Sequence, residues 1–545
     1  MEFDLIVKNA TIGIISHAEQ VTATEVLQPG LSIGVKDGII VAIALFLPAG
    51  PDTKIVDAEG AYVTPGGVDS HVHLHQDNAP TGDKWLTGSR SALAGGNATI
   101  LAFASQRRTD ESLYPVVEEY HNRSRGQSYI DYGFHLILTK PTTKILQEEL
   151  KVMIEQEGIT SLKLYMTYPA MKLGDGDMLD IMMQARELGV TTMIHAENSD
   201  MIDMITTRLL KHSRTLPKYH AIARPQIAET EATYRAISLS TLTSTPILIV
   251  HMSSPVALSH ARKAQSKSLL PVHAETCPHY LCLLSSNLAA TSIATHDDHG
   301  HSHEVHDEWA GSRHVCAPPL RHSEADLQSV WDAVNNGTIT VISSDHAPTL
   351  YNSPGGKRKP VVDAQASGSV PTFAQIPNGL PGIETRLPIL FSAATDPSAP
   401  AGRRLSLPRF VELTSTNPAK MYGLAGKKGS IAPGYDADLV IWYPKLHNDA
   451  GVTITNDVLH HSIDYTPFEG MKVCNWPRYV LLRGEMKWDR DVELRDGHGK
   501  GILGKPTDGQ YLKRAKGEVL VGRLNQTPPG MMEGETDNWM TYTHE

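Results

Sequence analysis

The feature that most constrains this chain is an alternation. Eight short apolar runs, AYVTPGGVDSHVH, ATILAFAS, YGFHLILT, SLKLYMT, TTMIHAEN, TPILIVHMS, LLPVHAET and TITVISSD, are separated by longer amphipathic stretches. One such stretch, DMLDIMMQARELGV, places its apolar residues at helical spacing. Strand and helix alternating eight times predicts an α/β protein built on a (β/α)8 TIM barrel. Five segments, His71-Val72-His73, Lys163, His195, His251 and Asp345, each put a polar residue where a buried strand runs out. In a barrel those positions gather at one face, where active sites sit.

The chain ends have a different texture. FDLIVKNATI, LSIGVKDGIIVAIAL and KIVDAEGAYVT are short, β-branched and punctuated by Gly, Asn and Asp, which predicts antiparallel strands. GSIAPGYDADLVIWYP and PRYVLLRGEMKW repeat that texture. Residues 1–64 and 426–490 are therefore expected to pair as a small β-sandwich, with the barrel, 65–425, inserted between them. Residues about 285–312 read as a polar surface insertion, whose His296, His299, His301, His303 and His306 belong to a solvated loop. The extension 491–545 lacks a sustained period and is expected to be mobile or docked on another subunit.

With 545 residues, more than one domain is expected. The net charge of −11 and the absence of a long basic run argue against a nucleic-acid partner. The longest apolar run, Ile39 to Leu47, is nine residues, short of the roughly 20 that span a bilayer. Glu2 and Asp4 occupy the place of a signal peptide's basic region, so the start reads as mature protein. Four irregularly spaced cysteines, Cys277, Cys282, Cys316 and Cys474, point to a reducing, cytoplasmic setting.

The polar strand ends suggest metal chemistry. His71 and His73 are two apart, so on an extended strand both imidazoles project to one side and can share an ion. Lys163 lies between Leu162 and Leu164, where an ammonium is costly to bury without a partner. Read alone it is a snorkelling or ion-paired lysine. Beside the histidines, its amine can instead carry a carbamate that bridges two ions. Four imidazoles, one bridging carbamate and the Asp345 carboxylate, plus a solvent ligand, would then satisfy two Zn2+.

The segments GGVDSHVHLH, SLKLYMTY, HAEN, HMSS and SSDHAP resemble the metal-site motifs of the amidohydrolase superfamily, and of its dihydropyrimidinase and hydantoinase branch in particular. KYHAIARP, AETCPHY, HVCAPPLR, IPNGLPGIETRLP and TNPAKMYGL extend the resemblance over roughly residues 3 to 485. It implies a TIM barrel with a flanking β-sandwich, two zinc ions bridged by N6-carboxylated Lys163, and a homotetramer or dimer. His71, His73 and Asp345 would hold one zinc, His195 and His251 the other. Tyr168 would hydrogen-bond the substrate carbonyl and its oxyanion, and Asp345 would carry the proton. Backbone groups at Cys316-Ala317 and Asn378 would read the ring amide. Ala317 departs from the serine more common there.

The implied reaction is ring opening of a dihydropyrimidine or hydantoin to an N-carbamoyl amino acid, as in pyrimidine catabolism. Dihydroorotases and allantoinases share the ligands, but a dihydroorotase needs a cation for its substrate's carboxylate where this chain has His75. Leu74, His75, Gln76 and the PTGDKW stretch are expected to shape the pocket. The collapsin response mediator proteins offer a non-enzymatic alternative, which the complete ligand set argues against.

Overall fold

The computed structural model describes residues 2–14, 26–77, 79–266, 272–296, 302–444 and 451–518. Eight parallel strands form its centre: Gly67–Val72, Asn97–Ser105, Asp131–Ile137, Ser161–Tyr165, Thr191–His195, Ile247–Ile249, Val272–Thr276 and Val341–Ile342. Each coincides with one of the eight apolar runs, the second and third starting one residue earlier, at Asn97 and Asp131. A parallel bridge between Val72 and His346, with His73 N donating to His346 O at 2.8 Å, joins the first strand to the segment after the eighth. Helices cover the outside, so strands such as Asp131–Ile137 are buried at every residue. The helix Asp175–Leu188 is the predicted amphipathic segment. It buries Met178, Ile181, Met182 and Ala185, and ends where Gly189 turns left-handed at φ 66°.

The chain ends build a second, eight-stranded sheet from Leu5–Ile14, Val26–Lys36, Ile39–Ala44, Lys54–Asp57, Tyr62–Pro65, Leu439–Trp442, Pro477–Leu482 and Glu485–Asp489. Strand alternation divides it between two cores. Leu439 and Ile441 pack into the sheet's own cluster with Leu5, Val7 and Ile33. Val440 and Trp442 face the barrel, where Trp442 stacks on Phe391 with centroids 3.6 Å apart. In the first strand a register shift at Asn9, φ 55°, changes the inward residues from Leu5 and Val7 to Ala10 and Ile12.

Three expectations need correction. The end sheet is not wholly antiparallel: Lys54–Asp57 and Tyr62–Pro65 pair in parallel with Leu5–Ile14. The intervening strands supply the crossover that parallel pairing requires. The polar insertion is ordered as a hairpin, Ser292–His296 against Ser302–His306, flanked by buried Leu288 and Trp309. His299 and His301 lie outside the described residues, as do the side chains of His296 and His303. The extension packs on its own chain through residue 518. Leu512 N donates to Tyr132 O at 2.7 Å, and buried Arg514 reaches Ser161 Oγ at 2.9 Å near the strand starts. Residues 519–545 lie outside the described residues. Among the described residues no helix is long and apolar enough to cross a membrane.

Candidate metal centre

The C-terminal ends of the strands bring the predicted residues together. His71 stands near the end of the first strand with His73 just past it, Lys163 lies in the fourth, and His195 closes the fifth. His251 and Asp345 follow the sixth and eighth. His71 Nε2 is 3.1 Å from Asp345 Oδ1 and 3.3 Å from Lys163 Nζ. His73 Nε2 lies 3.7 Å from the same carboxylate oxygen. The His195 and His251 rings are 4.4 Å apart, and those of His71 and His251 are 5.4 Å apart. Donor atoms of His71, His251 and Asp345 all fall within 4.8 Å of one another.

The backbone is unusual at this site. Tyr168, His251 and Asp345 have φ of 69°, 39° and 46°, and His75, at the rim, has 52°. Side-chain-bearing residues rarely adopt the left-handed region, and each costs about 1–3 kcal/mol when the surroundings impose it. The turns aim these side chains inward. Asp69 braces two of the segments: its Oδ1 accepts from Ser344 N at 3.0 Å and His71 N at 3.5 Å.

Each imidazole is prepared to donate a lone pair. His71 Nδ1 meets Glu275 Oε1 at 2.7 Å, His73 Nδ1 meets Gln76 Oε1 at 3.0 Å, and His195 Nε2 meets Glu197 Oε2 at 2.8 Å. A partner behind one nitrogen fixes the tautomer and leaves the other for a cation. His251 Nδ1 is buried with no hydrogen-bond partner among the described residues. Burial lowers all four imidazole pKa values, His73's to about 3, so neutral nitrogens are available near pH 7. Burial also lowers the Lys163 amine to about 8 and raises the Asp345 carboxyl to about 7. Neutral imidazoles, an amine of reduced basicity and a carboxylate form a donor set that fits divalent cations.

These groups face a cavity of about 190 Å3 lined also by Tyr168, Ile137, Met171, Ala317, Asn378 and Gly379. Lys163 lies beneath it, wholly buried. Asn378 Nδ2 donates to Tyr168 Oη at 3.3 Å, and burial raises the Tyr168 pKa, so its hydroxyl remains a donor at neutral pH. His75, Gln76, Gly82 and Asp83 line the rim as expected, whereas Leu74 turns away and packs under Gly88. Among the described residues no lysine or arginine lines the cavity. Ala317 reaches it but Cys316 does not. The Cys316 carbonyl accepts from His220 Nε2 at 2.8 Å.

Sequence reasoning missed several supporting residues. Glu275 and Glu197 stand behind metal-ligand candidates, and Arg224 Nη1 pairs with Glu197 Oε2 at 2.6 Å. Lys357 is wholly buried. Its ammonium donates to Val315 O, Pro377 O and Gly379 O at 2.8, 2.7 and 2.6 Å, tying together two cavity segments. The tripeptide His-Ala-Glu, at both 195–197 and 273–275, was the available signal for the glutamates.

Comparisons with known proteins agree with this geometry. The family model described as Amidohydrolase family matches residues 62–487. A D-hydantoinase from Geobacillus stearothermophilus is 38% identical over 522 residues, covering 95% of this chain and 98% of the relative. One from Ralstonia pickettii is 36% identical, covering 94% and 99%. The crystal structure of dihydropyrimidinase from Brevibacillus agri NCHU1002 superposes with a TM-score of 0.80 at 32% identity, over 94% of this chain and 99% of that one. By these matches along nearly its whole length, the chain belongs to the amidohydrolase family, in its hydantoinase branch.

Proposed function

We propose that this protein hydrolyses the ring amide of 5,6-dihydropyrimidines or 5-substituted hydantoins to N-carbamoyl amino acids. The observation that carries the reading is the convergence of His71, His73, His195, His251, Lys163 and Asp345 on one buried cavity. His71, His73 and Asp345 would hold one Zn2+, His195 and His251 a second, and N6-carboxylated Lys163 would bridge them. When bound, the ions supply a water nucleophile at neutral pH and Lewis-acid polarisation of the carbonyl. Tyr168 donates its hydroxyl hydrogen to the carbonyl oxygen as negative charge develops there. Asp345 takes the proton from the attacking water on its carboxylate and delivers it to the leaving ring nitrogen. Main chain at Ala317 and Asn378 orients the amide edge, and the first-loop residues His75 and Gln76 face the ring substituent. The absence of a cationic side chain from the described lining favours a neutral ring over a carboxylate-bearing one. The assembly in this reading is a homotetramer or dimer.

The test is ring opening by zinc-loaded protein prepared in bicarbonate, with dihydrouracil, dihydrothymine, hydantoin and 5-phenylhydantoin as substrates. The expected products are the N-carbamoyl amino acids. Protein that retains zinc yet opens none of these rings would overturn the proposal.

A further inference from the structure

The C-terminal extension places a second group of metal-ligating side chains away from the barrel centre. The helix Arg490–Asp496 sets Glu493 against His460, and the following turn, with Gly497 at φ 107° and Gly499 at φ 80°, folds His498 back over both. Glu493 Oε1 lies 3.1 Å from His460 Nε2 and 3.2 Å from His498 Nδ1. The two imidazoles stack with centroids 4.5 Å apart. One donor atom from each of the three residues falls within 4.8 Å of the others. Ligand atoms bound tetrahedrally at zinc distances stand roughly 3.3 Å apart, so both carboxylate-to-imidazole separations match the edge of such a site.

The surroundings complete the resemblance to a ligand set. His460 Nδ1 meets Glu384 Oε1 at 2.9 Å, and His460 N donates to Glu384 Oε2 at 2.7 Å. A carboxylate behind an imidazole orients its other nitrogen towards a metal. Glu493 Oε1 already accepts from Gly499 N at 2.7 Å and meets His460 Nε2 at 3.1 Å, while His498 Nδ1 stands 3.2 Å away without a hydrogen bond to it. Those two partners fill the oxygen's two lone-pair directions, which leaves the His498 nitrogen close to the carboxylate but not bonded to it. A shared cation gives that nitrogen a partner, while Glu493 Oε2 keeps its bond from Gly501 N at 2.7 Å. The His460 side chain is 3% exposed and that of His498 is 54% exposed, so an ion enters from the His498 side.

We propose that His460, Glu493 and His498 form a second metal site, separate from the barrel centre, which takes a zinc-class divalent cation with solvent in its fourth position. Its occupancy staples the extension to the segment carrying Ser462. Ser462 donates from N and Oγ to Asp83 Oδ1 at 2.9 and 2.6 Å, and Asp83 Oδ2 meets His346 Nε2 at 3.0 Å, next to Asp345. The site thus adjoins the catalytic rim without contributing a ligand to it.

The experiment is equilibrium dialysis of the full chain against zinc, with metal counted per subunit and circular dichroism as the fold control. Because His498 is exposed, His498→Ala is expected to fold normally, bind one zinc fewer than the unsubstituted protein and lose part of the zinc-dependent rise in Tm. Glu493→Gln should show the same one-ion deficit. In a Lys163→Ala background the site should still take its zinc, which separates this proposal from the reading of the barrel centre. Equal zinc counts in His498→Ala and the unsubstituted protein would overturn it.

Discussion

Two buried lysines at opposite ends of the barrel show how partners, rather than burial, decide what a charge is for. Lys428 lies near the strand starts, with its ammonium 2.6 Å from Asp131 Oδ2, 2.8 Å from Asp436 Oδ2 and 2.6 Å from Asp438 Oδ2. Burial opposes its charge, but the three carboxylates outweigh that and raise its pKa. Lys163 lies near the strand ends, beside His71 Nε2 at 3.3 Å, and burial lowers it to about 8. One lysine is a finished ion-pair network joining the end sheet to the barrel. The other lies beside an imidazole, and burial outweighs the pull of Asp345 and Glu275, so its amine is less basic and open to modification. The division follows the barrel's general plan, with stability at the bottom face and chemistry at the top.

The sharpest way to break this comparison is to remove each lysine in turn. Lys163→Ala should lose bridged zinc and at least about a thousandfold in kcat/KM, with partial recovery in acetate or propionate. Zinc content and ring-opening rates read the outcome. Full activity in the variant would rule out the carbamate bridge and make Lys163 another structural lysine.

Lys428→Met should do the reverse. Removing one partner of a buried charge network costs about 3–5 kcal/mol, because among the described residues Asp131, Asp436 and Asp438 would then keep Arg483, paired with Asp131, as their nearby cation. The denaturant midpoint should fall while zinc retention and KM hold. The pH dependence has a definite sign. A lysine whose folded pKa lies above its unfolded value of about 10.4 contributes its full stability below that pH and loses it as pH rises through the folded value. The gap between the variant and the unsubstituted protein should therefore be constant at neutral pH and narrow above about pH 10.4. A gap that widened there would show that Lys428 is not held charged by these carboxylates.

Tyr168→Phe tests whether the top face acts through oriented donors as well as through metal. Its expected cost is about a hundred- to a thousandfold in kcat, with zinc content unchanged. Loss of zinc instead would make Tyr168 a support for His195, whose ring lies 5.4 Å from it.

Much of this division was legible in the sequence. Strands buried on both faces leave apolar runs, and a ligand at a strand end interrupts such a run, so the six metal-ligand candidates stood out. The depth of a residue along a strand did not. The two His-Ala-Glu tripeptides are identical, yet Ile194, Ile249 and Ala274 share a level in the ladder, which puts His195 level with Glu275 rather than with His273. The first tripeptide places its histidine at the centre, and the second places its glutamate there. Lys428 was equally silent, because its partners at 131, 436 and 438 meet only through tertiary packing. The cis docking of residues 491–518 was hidden for a related reason: it rests on backbone hydrogen bonds and a few side chains such as Arg514, which leave no periodic pattern.

Glu275 is the finest probe of the contrast, since it is a buried carboxylate serving the top face without being a proposed ligand. Its Oε1 accepts from His71 Nδ1 at 2.7 Å and from His251 N at 3.4 Å, so one side chain orients two imidazole-bearing segments. Glu275→Gln preserves the shape and an acceptor oxygen but removes the ionisable carboxyl, raised by burial to about 8, that shares the His71 Nδ1 contact and strengthens imidazole donation. Zinc affinity should weaken by about 10- to 100-fold, measured by competition with a chelating dye, with little change in thermal stability. If stability fell as far as in Lys428→Met and zinc affinity held, Glu275 would belong with the bottom-face carboxylates, as part of the frame rather than the site.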